Sequence, residues 1–409
     1  MLAKVHIIGG GTVAHVRNHL ALCAPAYGTT ARALFDKCLV LFNTSEVVVH
    51  LSKMAAMEDR GSFETWSDLS NLLDEIVEDP RTKVIFFNAA VVDFQGFIEG
   101  EHSGKYKERL KSYRPYTMEL KAVPKLVNRV RKERKDIFLI SFKTTCGLSE
   151  QAQYLAGLEL LKRSSSNLVL ANDVLTRTNM IITPEEAAYH VTKDRDEALD
   201  CLVQMANLRS HLTFTQSTVV AGEPISWLSP EIPASLRTVV DFCIASGAYK
   251  QFHGATAGHF AAKLSDTEFL TSRRKSNFNN LQQVGLVKIK SDSPDTVLAY
   301  GSKPSVGGQS QRIVFRDHPG LDCIVHFHCL IKDDSSVPRV SQEEFECGSH
   351  ECGANTSRGL GQFGNIWAVY LINHGPNVVF HSSVDPVEVM DFIAANFDLS
   401  IKSGGYQLT

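Results

Sequence analysis

Short apolar runs rich in β-branched and aromatic residues recur along the first half of the chain, at Lys4–Ile8, Leu39–Phe42, Val84–Asn88, Ile137–Phe142 and Leu168–Ala171. Between them, Trp66–Glu78, Val123–Arg134 and Ser149–Arg163 repeat apolar residues at three- and four-residue spacing, the period of a helix with one buried stripe. Strands alternating with helices predict an α/β fold with a parallel sheet covered on both faces. Ligands of such sheets sit at the carboxyl ends of the strands. The texture changes after Leu208: Thr213–Val220 and Pro224–Trp227 read as strands, and Ser229, Pro230 and Pro233 punctuate the chain. A helix at Ala234–Ser246, several strands and a last helix at Pro386–Phe397 follow. A boundary near Ser229 divides the chain into 1–228 and 229–409. There is no internal repeat and no low-complexity tract.

Composition narrows the class without choosing a function. A chain of 409 residues has room for two domains, or three, each large enough for its own core. A formal charge of −3 excludes a global attraction to nucleic acid or an anionic membrane, so neither is an expected partner. The apolar run after Met1 is too short for a signal peptide, and no stretch approaches the ~20 apolar residues of a membrane span. Nine cysteines, an odd number scattered through a long chain, fit free thiols in a reducing, cytoplasmic setting. Cys347, His350 and Cys352 have a spacing that could hold zinc. No second ligand pair lies close in sequence, so a loop with free thiols is the favoured reading.

Candidate chemistry in the first half lies in loops after strands. Gly9, Gly10, Gly11 and Thr12 follow the first strand, where glycines allow close approach of an anion and backbone amides can donate to phosphate. Asn88–Phe94 brings small residues and then Asp93. Ile140–Thr144 ends on Phe142 and Lys143, and Leu170–Val174 carries Ala171 and Asn172. The order Gly-Gly-Thr, Ala-Ala-Val-x-Asp-Phe (89–94), Val-Pro-Lys (123–125), Ile-Ser-Phe-Lys (140–143) and Val-x-Ala-Asn-Asp (169–173) resembles phosphopantothenoylcysteine synthetase over residues 4–205, nearest its eukaryotic form. That resemblance implies a Rossmann-like domain with a nucleotide pocket formed by Gly9–Thr12, Ala90, Asp93, Phe142, Lys143, Ala171 and Asn172, and a nucleoside triphosphate with Mg as cofactor. The chain departs from the family at Ala24, where the family's asparagine contacts the activated carboxylate, and at Arg109, where it has lysine (Lys107 and Lys111 are near).

The second half carries Val325-His326-Phe327-His328, two histidines at alternate positions, and His374 before Gly375 at another strand end. Neutral imidazoles on one face suit a zinc-class cation; a polar sheet face is the bland alternative. Residues 233–400 resemble the class II aldolase and adducin family through Gly258-His259-Phe260-Ala261, Thr271-Ser272-Arg273, Pro304-Ser305-Val306-Gly307, Asp317–Asp322, His326-Phe327-His328 and His374-Gly375. The resemblance implies a divalent metal, most naturally zinc, on His326, His328 and His374. It further implies a substrate phosphate held by Thr271, Ser272 and Ser305, with Arg273 or Lys275 assisting. The family's general acid/base glutamate falls on Gly307, which has no side chain to move a proton. Glu346, His350 and Glu351, with Glu343 and Glu344 nearby, are the replacement candidates.

Together these readings predict a divergent bifunctional enzyme. One half would be a ligase-like nucleotide or phosphate binder. The other would do metal-dependent aldolase, dehydratase or epimerase chemistry on a phosphorylated keto or polyol compound. Ligase activity alone, or a non-catalytic adducin-like assembly module, are the alternatives. Both families also imply a homo-oligomer.

Overall fold

The computed structural model describes residues 2–56 and 61–408. The fold is α/β and divides into two compact units: residues 1–182 with 190–210, and 183–189 with 211–409. The expected boundary near Ser229 therefore lies inside the second unit. The reason is pairing: the strand Gln216–Val220 runs parallel to Thr296–Tyr300, so the chain has joined the second sheet before Ser229 is reached.

In the first unit, β1 (Lys4–Gly11), β2 (Glu46–Leu51), β3 (Thr82–Ala90), β4 (Phe138–Thr145) and β5 (Leu168–Asp173) are parallel, in the spatial order β5-β4-β3-β1-β2. β6 (Asn179–Ile182) joins β5 antiparallel. Helices α1 (Thr29–Leu41), α2 (Trp66–Glu78), α3 (Val127–Glu133), α4 (Glu150–Ser164) and α5 (Arg195–Arg209) complete the unit. α2 begins on a reciprocal capping box between Thr65 and Asp68 and buries Leu69, Leu73, Ile76 and Val77 at helical spacing. Those residues pack on Ile8, Ile85, Phe87 and Leu139 of the sheet.

Two local expectations fail for identifiable reasons. Leu39–Phe42 is not a strand but the end of α1. The helix buries Ala31, Leu34 and Cys38, while Leu39 and Val40 stand 50% and 72% exposed. The strand that joins the sheet starts four residues later, at Glu46. The helix expected from Val123 starts at Val127, because Pro124 disfavours helical backbone before it and Met118–Ala122 pairs with Phe94–Ile98.

The second unit is built on a ten-stranded, mostly antiparallel sheet. Its strands are β7 (Gln216–Val220), β8 (His259–Lys263), β9 (Glu268–Ser272), β10 (Leu286–Ser293), β11 (Thr296–Tyr300), β12 (Cys323–His326), β13 (Arg339–Val340), β14 (Gly361–Phe363), β15 (Ile366–Leu371) and β16 (Gly375–Phe380). Pro224–Trp227, expected as a strand, makes only an isolated bridge from Ile225 to Leu286. The main helices are α6 (Ala234–Ala245), α7 (Val306–Asp317), α8 (His350–Gly359) and α9 (Pro386–Asn396). Strand alternation sorts side chains between the two faces of the sheet. Phe260, Ala262, Val325 and Val378 pack with Leu236, Val239 and Ile393 of α6 and α9. Ala261, Ile324 and Val379 pack with Val314 and Phe315 of α7.

Candidate functional site

The same alternation places the histidines. His259, His326 and Asn377 are direct cross-strand partners on β8, β12 and β16, and each shares the parity of the α7 face. β12 ends at His326, so His328 lies just past the strand, not within it as expected. His374 sits in the turn between β15 and β16, with its amide donating to Leu371 O at 2.9 Å. Two backbone features let that turn come in close: Asn373 is left-handed (φ 62°), and Gly375 has φ 141°. A Cβ on Gly375 would lie 2.2 Å from Phe327 O, so only glycine permits this approach.

Three rings from two loops thereby converge. Ring centroids are 5.1 Å apart for His326 and His328, 4.5 Å for His326 and His374, and 4.8 Å for His328 and His374. One nitrogen from each ring lies within 4.8 Å of the others, and this is the only such group found among the described residues. The rings are 0%, 6% and 1% exposed respectively. His326 Nδ1 lies 2.8 Å from Pro376 O. A carbonyl only accepts, so Nδ1 carries the proton and Nε2 keeps a bare lone pair. That Nε2 lies 3.2 Å from His374 Nε2. Burial pushes the His326 pKa down to about 4, against the opposing pull of the Pro376 carbonyl, so the ring is neutral near pH 7. Three buried imidazoles with converging nitrogens are the donor set of a nitrogen-preferring divalent cation, and the residues present fit such an ion.

Around this centre lie residues that sequence reasoning passed over. The His259 ring lies tilted against His326, centroids 4.7 Å apart, and is held neutral by burial and by His326 beside it. Its Nδ1 meets the Gln311 amide, and Gln311 Oε1 accepts the Thr271 hydroxyl at 3.4 Å. The Glu186 carboxylate lies 3.9 Å from His328 Nδ1. His259 was visible in the sequence only as part of the Gly258–Ala261 segment, with no role attached, while Gln311 and Glu186 carry no sequence signal.

The expected phosphate residues are drawn together by pairing. Ser305 N donates to Ser272 O at 2.8 Å, and Arg273 bridges to Pro304. Thr271 and Ser272 are buried, Arg273 donates to Val284 O at 3.0 Å, and Lys275 sits exposed in a left-handed turn. The acid/base candidates have other partners. His350 Nε2 lies 2.7 Å from Thr215 Oγ1, and the Glu351 carboxylate accepts the Thr213 amide at 3.0 Å, so both hold the segment leading into β7. Glu346 is buried. Cys347, His350 and Cys352 do not form a metal group; Cys352 Sγ instead lies 3.2 Å from Gln342 Nε2.

In the first unit the expected residues lie toward the carboxyl ends of neighbouring parallel strands, but Ala90, Phe142, Lys143, Ala171 and Asn172 are still within β3, β4 and β5 and not in loops after them. Gly11 pairs with Ala90, and Phe142 and Lys143 pair with Leu170 and Ala171. Thr144 Oγ1 lies 3.4 Å from Asn172 Oδ1, and Asp93 forms an ion pair with Lys125. The glycines differ from expectation. They are the buried end of β1, not an open turn, and their role is close packing: a Cβ on Gly9 would meet the Ala31 methyl at 2.2 Å. The Gly11 amide donates to Ala26 O, the Thr12 amide to Ala90 O, and the Thr12 hydroxyl accepts from Val92 N, so these groups are engaged internally.

Residues 238–331 match the family model of the class II aldolase and adducin N-terminal domain. The chain is 28% identical over 134 residues to the coenzyme A biosynthesis bifunctional protein CoaBC of Thermococcus kodakarensis, a match spanning 32% of each chain. Among solved structures, the DNA/pantothenate metabolism flavoprotein from Streptococcus pneumoniae aligns at 19% identity and a TM-score of 0.42, covering 50% of this chain and 97% of that one. An L-fuculose 1-phosphate aldolase aligns at 15% identity and a TM-score of 0.29, covering 41% and 87%. Among the described residues, no helix is long and apolar enough to cross a membrane.

Proposed function

We propose that the chain is an enzyme whose second unit is a metal-dependent lyase or epimerase centre for a phosphorylated keto or polyol compound, and whose first unit binds a nucleotide as ligase-like proteins do. The observation that carries the reading is the convergence of His326, His328 and His374, with His326 already in the tautomer that leaves Nε2 bare. These three side chains would hold the cation, with zinc the best match to three imidazoles. Such an ion supplies Lewis-acid polarisation of a substrate oxygen. The chain's own part is to bury the three rings, at 0–6% exposure, which keeps His326 neutral, and to present a phosphate site nearby. Support for that site comes from Ser305 at the N-terminus of α7 beside Ser272, where helix amides favour an anion. Arg273 or Lys275 would add the balancing charge. Gly307 leaves the family's acid/base position without a proton carrier.

For the first unit, support comes from Lys143 and Ala171 paired at the carboxyl end of the sheet next to Phe142. A nucleoside triphosphate with Mg is the ligand this favours, and Ala24 argues against the full coenzyme A reaction. Cytoplasmic residence and homo-oligomeric assembly belong to the same reading.

Elemental analysis of the full chain tests the central claim. One equivalent of zinc or a related divalent ion is expected, and His328→Ala is expected to lose it. A wild-type protein without stoichiometric metal after zinc loading, or a variant with full occupancy, overturns the reading. A thermal-shift series with nucleoside triphosphates and sugar phosphates tests both ligand classes, since a ligand bound only by the folded state raises the melting temperature.

A further inference from the structure

Residues 183–189, Thr-Pro-Glu-Glu-Ala-Ala-Tyr, belong to the second unit although they lie far from its remaining sequence. Thr183, Glu185, Glu186, Ala187 and Tyr189 are all buried. Glutamates are rarely taken out of water unless a specific interaction offsets the desolvation. Glu186 also adopts a left-handed backbone, φ 63°, which is uncommon for a residue with a long side chain.

That conformation is secured from the side of the histidines. The Glu186 amide donates to Thr183 O at 2.9 Å, and buried Lys402 Nζ donates to Glu186 O at 2.7 Å and to Ser403 O at 2.8 Å. Ser403 Oγ donates to His374 O at 2.6 Å, and Ser403 N donates to His328 O at 3.2 Å. The turn bearing Glu186 is thus tied, through Lys402 and Ser403, to the backbones of two of the three ring-bearing residues. Packing is equally close. A Cβ on Gly404 would stand 3.0 Å from each of Ala187 Cα, Asn373 O and Glu186 O. This framework carries the Glu186 carboxylate to 3.9 Å from His328 Nδ1, with both side chains at most 7% exposed.

We propose that Glu186 is a positioning residue of the histidine centre: its carboxylate takes the Nδ1–H of His328 and so directs the other ring nitrogen, Nε2, toward the ion. The inference rests on the metal-centre reading above. It gives His328 the orienting acceptor that His326 has in Pro376 O. Metal-bound imidazoles commonly donate their second nitrogen to a carboxylate or carbonyl, and a carboxylate additionally raises ring basicity. Three neutral imidazoles leave the charge of a divalent ion unbalanced in a dry site, and a nearby carboxylate offsets part of it. A separation of 3.9 Å exceeds a direct hydrogen bond, so a small side-chain rotation or one bridging water completes the contact. Glu186 is not among the converging ligand atoms, so the role assigned to its carboxylate is that of an outer partner and not a fourth ligand.

The test is titration of Zn2+ and Co2+ into the metal-free full chain, comparing wild type with Glu186→Gln and His328→Ala. Glu186→Gln keeps shape and packing while removing the charge, so a purely structural residue would leave metal affinity unmoved. The expected result is a roughly 10- to 100-fold loss of zinc affinity in Glu186→Gln. An altered Co2+ visible spectrum and an apo melting temperature no lower than wild type are expected with it. Wild-type affinity and an unchanged Co2+ spectrum in Glu186→Gln would overturn this inference and leave the metal centre standing. Failure of the wild-type protein to bind either ion would overturn both.

Discussion

Replacing Gly375 by alanine separates the geometry of the histidine centre from the chemistry of its rings. The new Cβ would lie 2.2 Å from Phe327 O and 3.1 Å from His328 Cα, and both of these are backbone atoms. Ordinary contact requires the two chains to part by about 1 Å. The backbone at φ 141° adds strain of about 1–3 kcal/mol for any residue with a Cβ, and the overpacking costs about 1–3 kcal/mol more. A destabilisation of about 2–6 kcal/mol follows, which lowers the melting temperature of a unit this size by at least about 4 °C. Metal binding suffers along with the fold. Zinc–nitrogen bonds tolerate only about 0.2 Å of error, and His374, one residue before the clash, moves with it. Zinc affinity should fall at least about tenfold, measured by competition with a chromophoric chelator. Gly254→Ala is the control: φ is 80° there, but no atom lies within 4 Å of the added Cβ. It should cost about 1 kcal/mol and leave zinc binding unchanged. Wild-type melting and zinc affinity in Gly375→Ala would refute the argument that this turn sets the centre.

Two further outcomes follow from the first unit. Gly9→Ala should destabilise the fold by about 1–3 kcal/mol in urea unfolding, because its Cβ collides with Ala31 on α1; an unchanged midpoint with lost nucleotide binding would instead restore an open phosphate turn. His6 and His50 stack at 5.3 Å and are both pushed down to about 4, mainly by burial, with His50 and Lys4 adding to the effect on His6 and Lys4 to that on His50. Below about pH 6.5 the unfolded chain binds protons that the folded pair refuses, so stability should fall as pH drops from about 6.5 toward 4 and be flat above, by up to about 3 kcal/mol per histidine. His50→Gln should flatten that slope, and an identical slope would refute the assignment.

What the sequence reveals follows the range of the forces involved. α2 was legible to the residue, because its apolar stripe is local. The histidine set was legible because alternate spacing and a glycine turn announce themselves within a few positions. Leu39–Phe42 misled because a helix end can hold four successive apolar residues while burying only one or two, and nothing nearby distinguishes that from a strand. The Gly9–Gly11 run misled differently. Glycine marks a close approach, but not whether an anion or Ala31 is the neighbour. Gln311 and Glu186 were invisible for a third reason: their relevance arises from pairing between segments 52 and 142 residues from His259 and His328 respectively.

The grouping of residues 183–189 with 211–409 bears on how this polypeptide can be divided. The chain passes between its two units after residues 182, 189 and 210, so no single cut yields both halves intact. A fragment beginning at His211 would lack the peptide carbonyl that Lys402 Nζ binds and would leave an ammonium group buried without that acceptor. Gene-splitting or complementation work on this protein would need to graft the seven-residue insert onto the second piece, or supply it in trans.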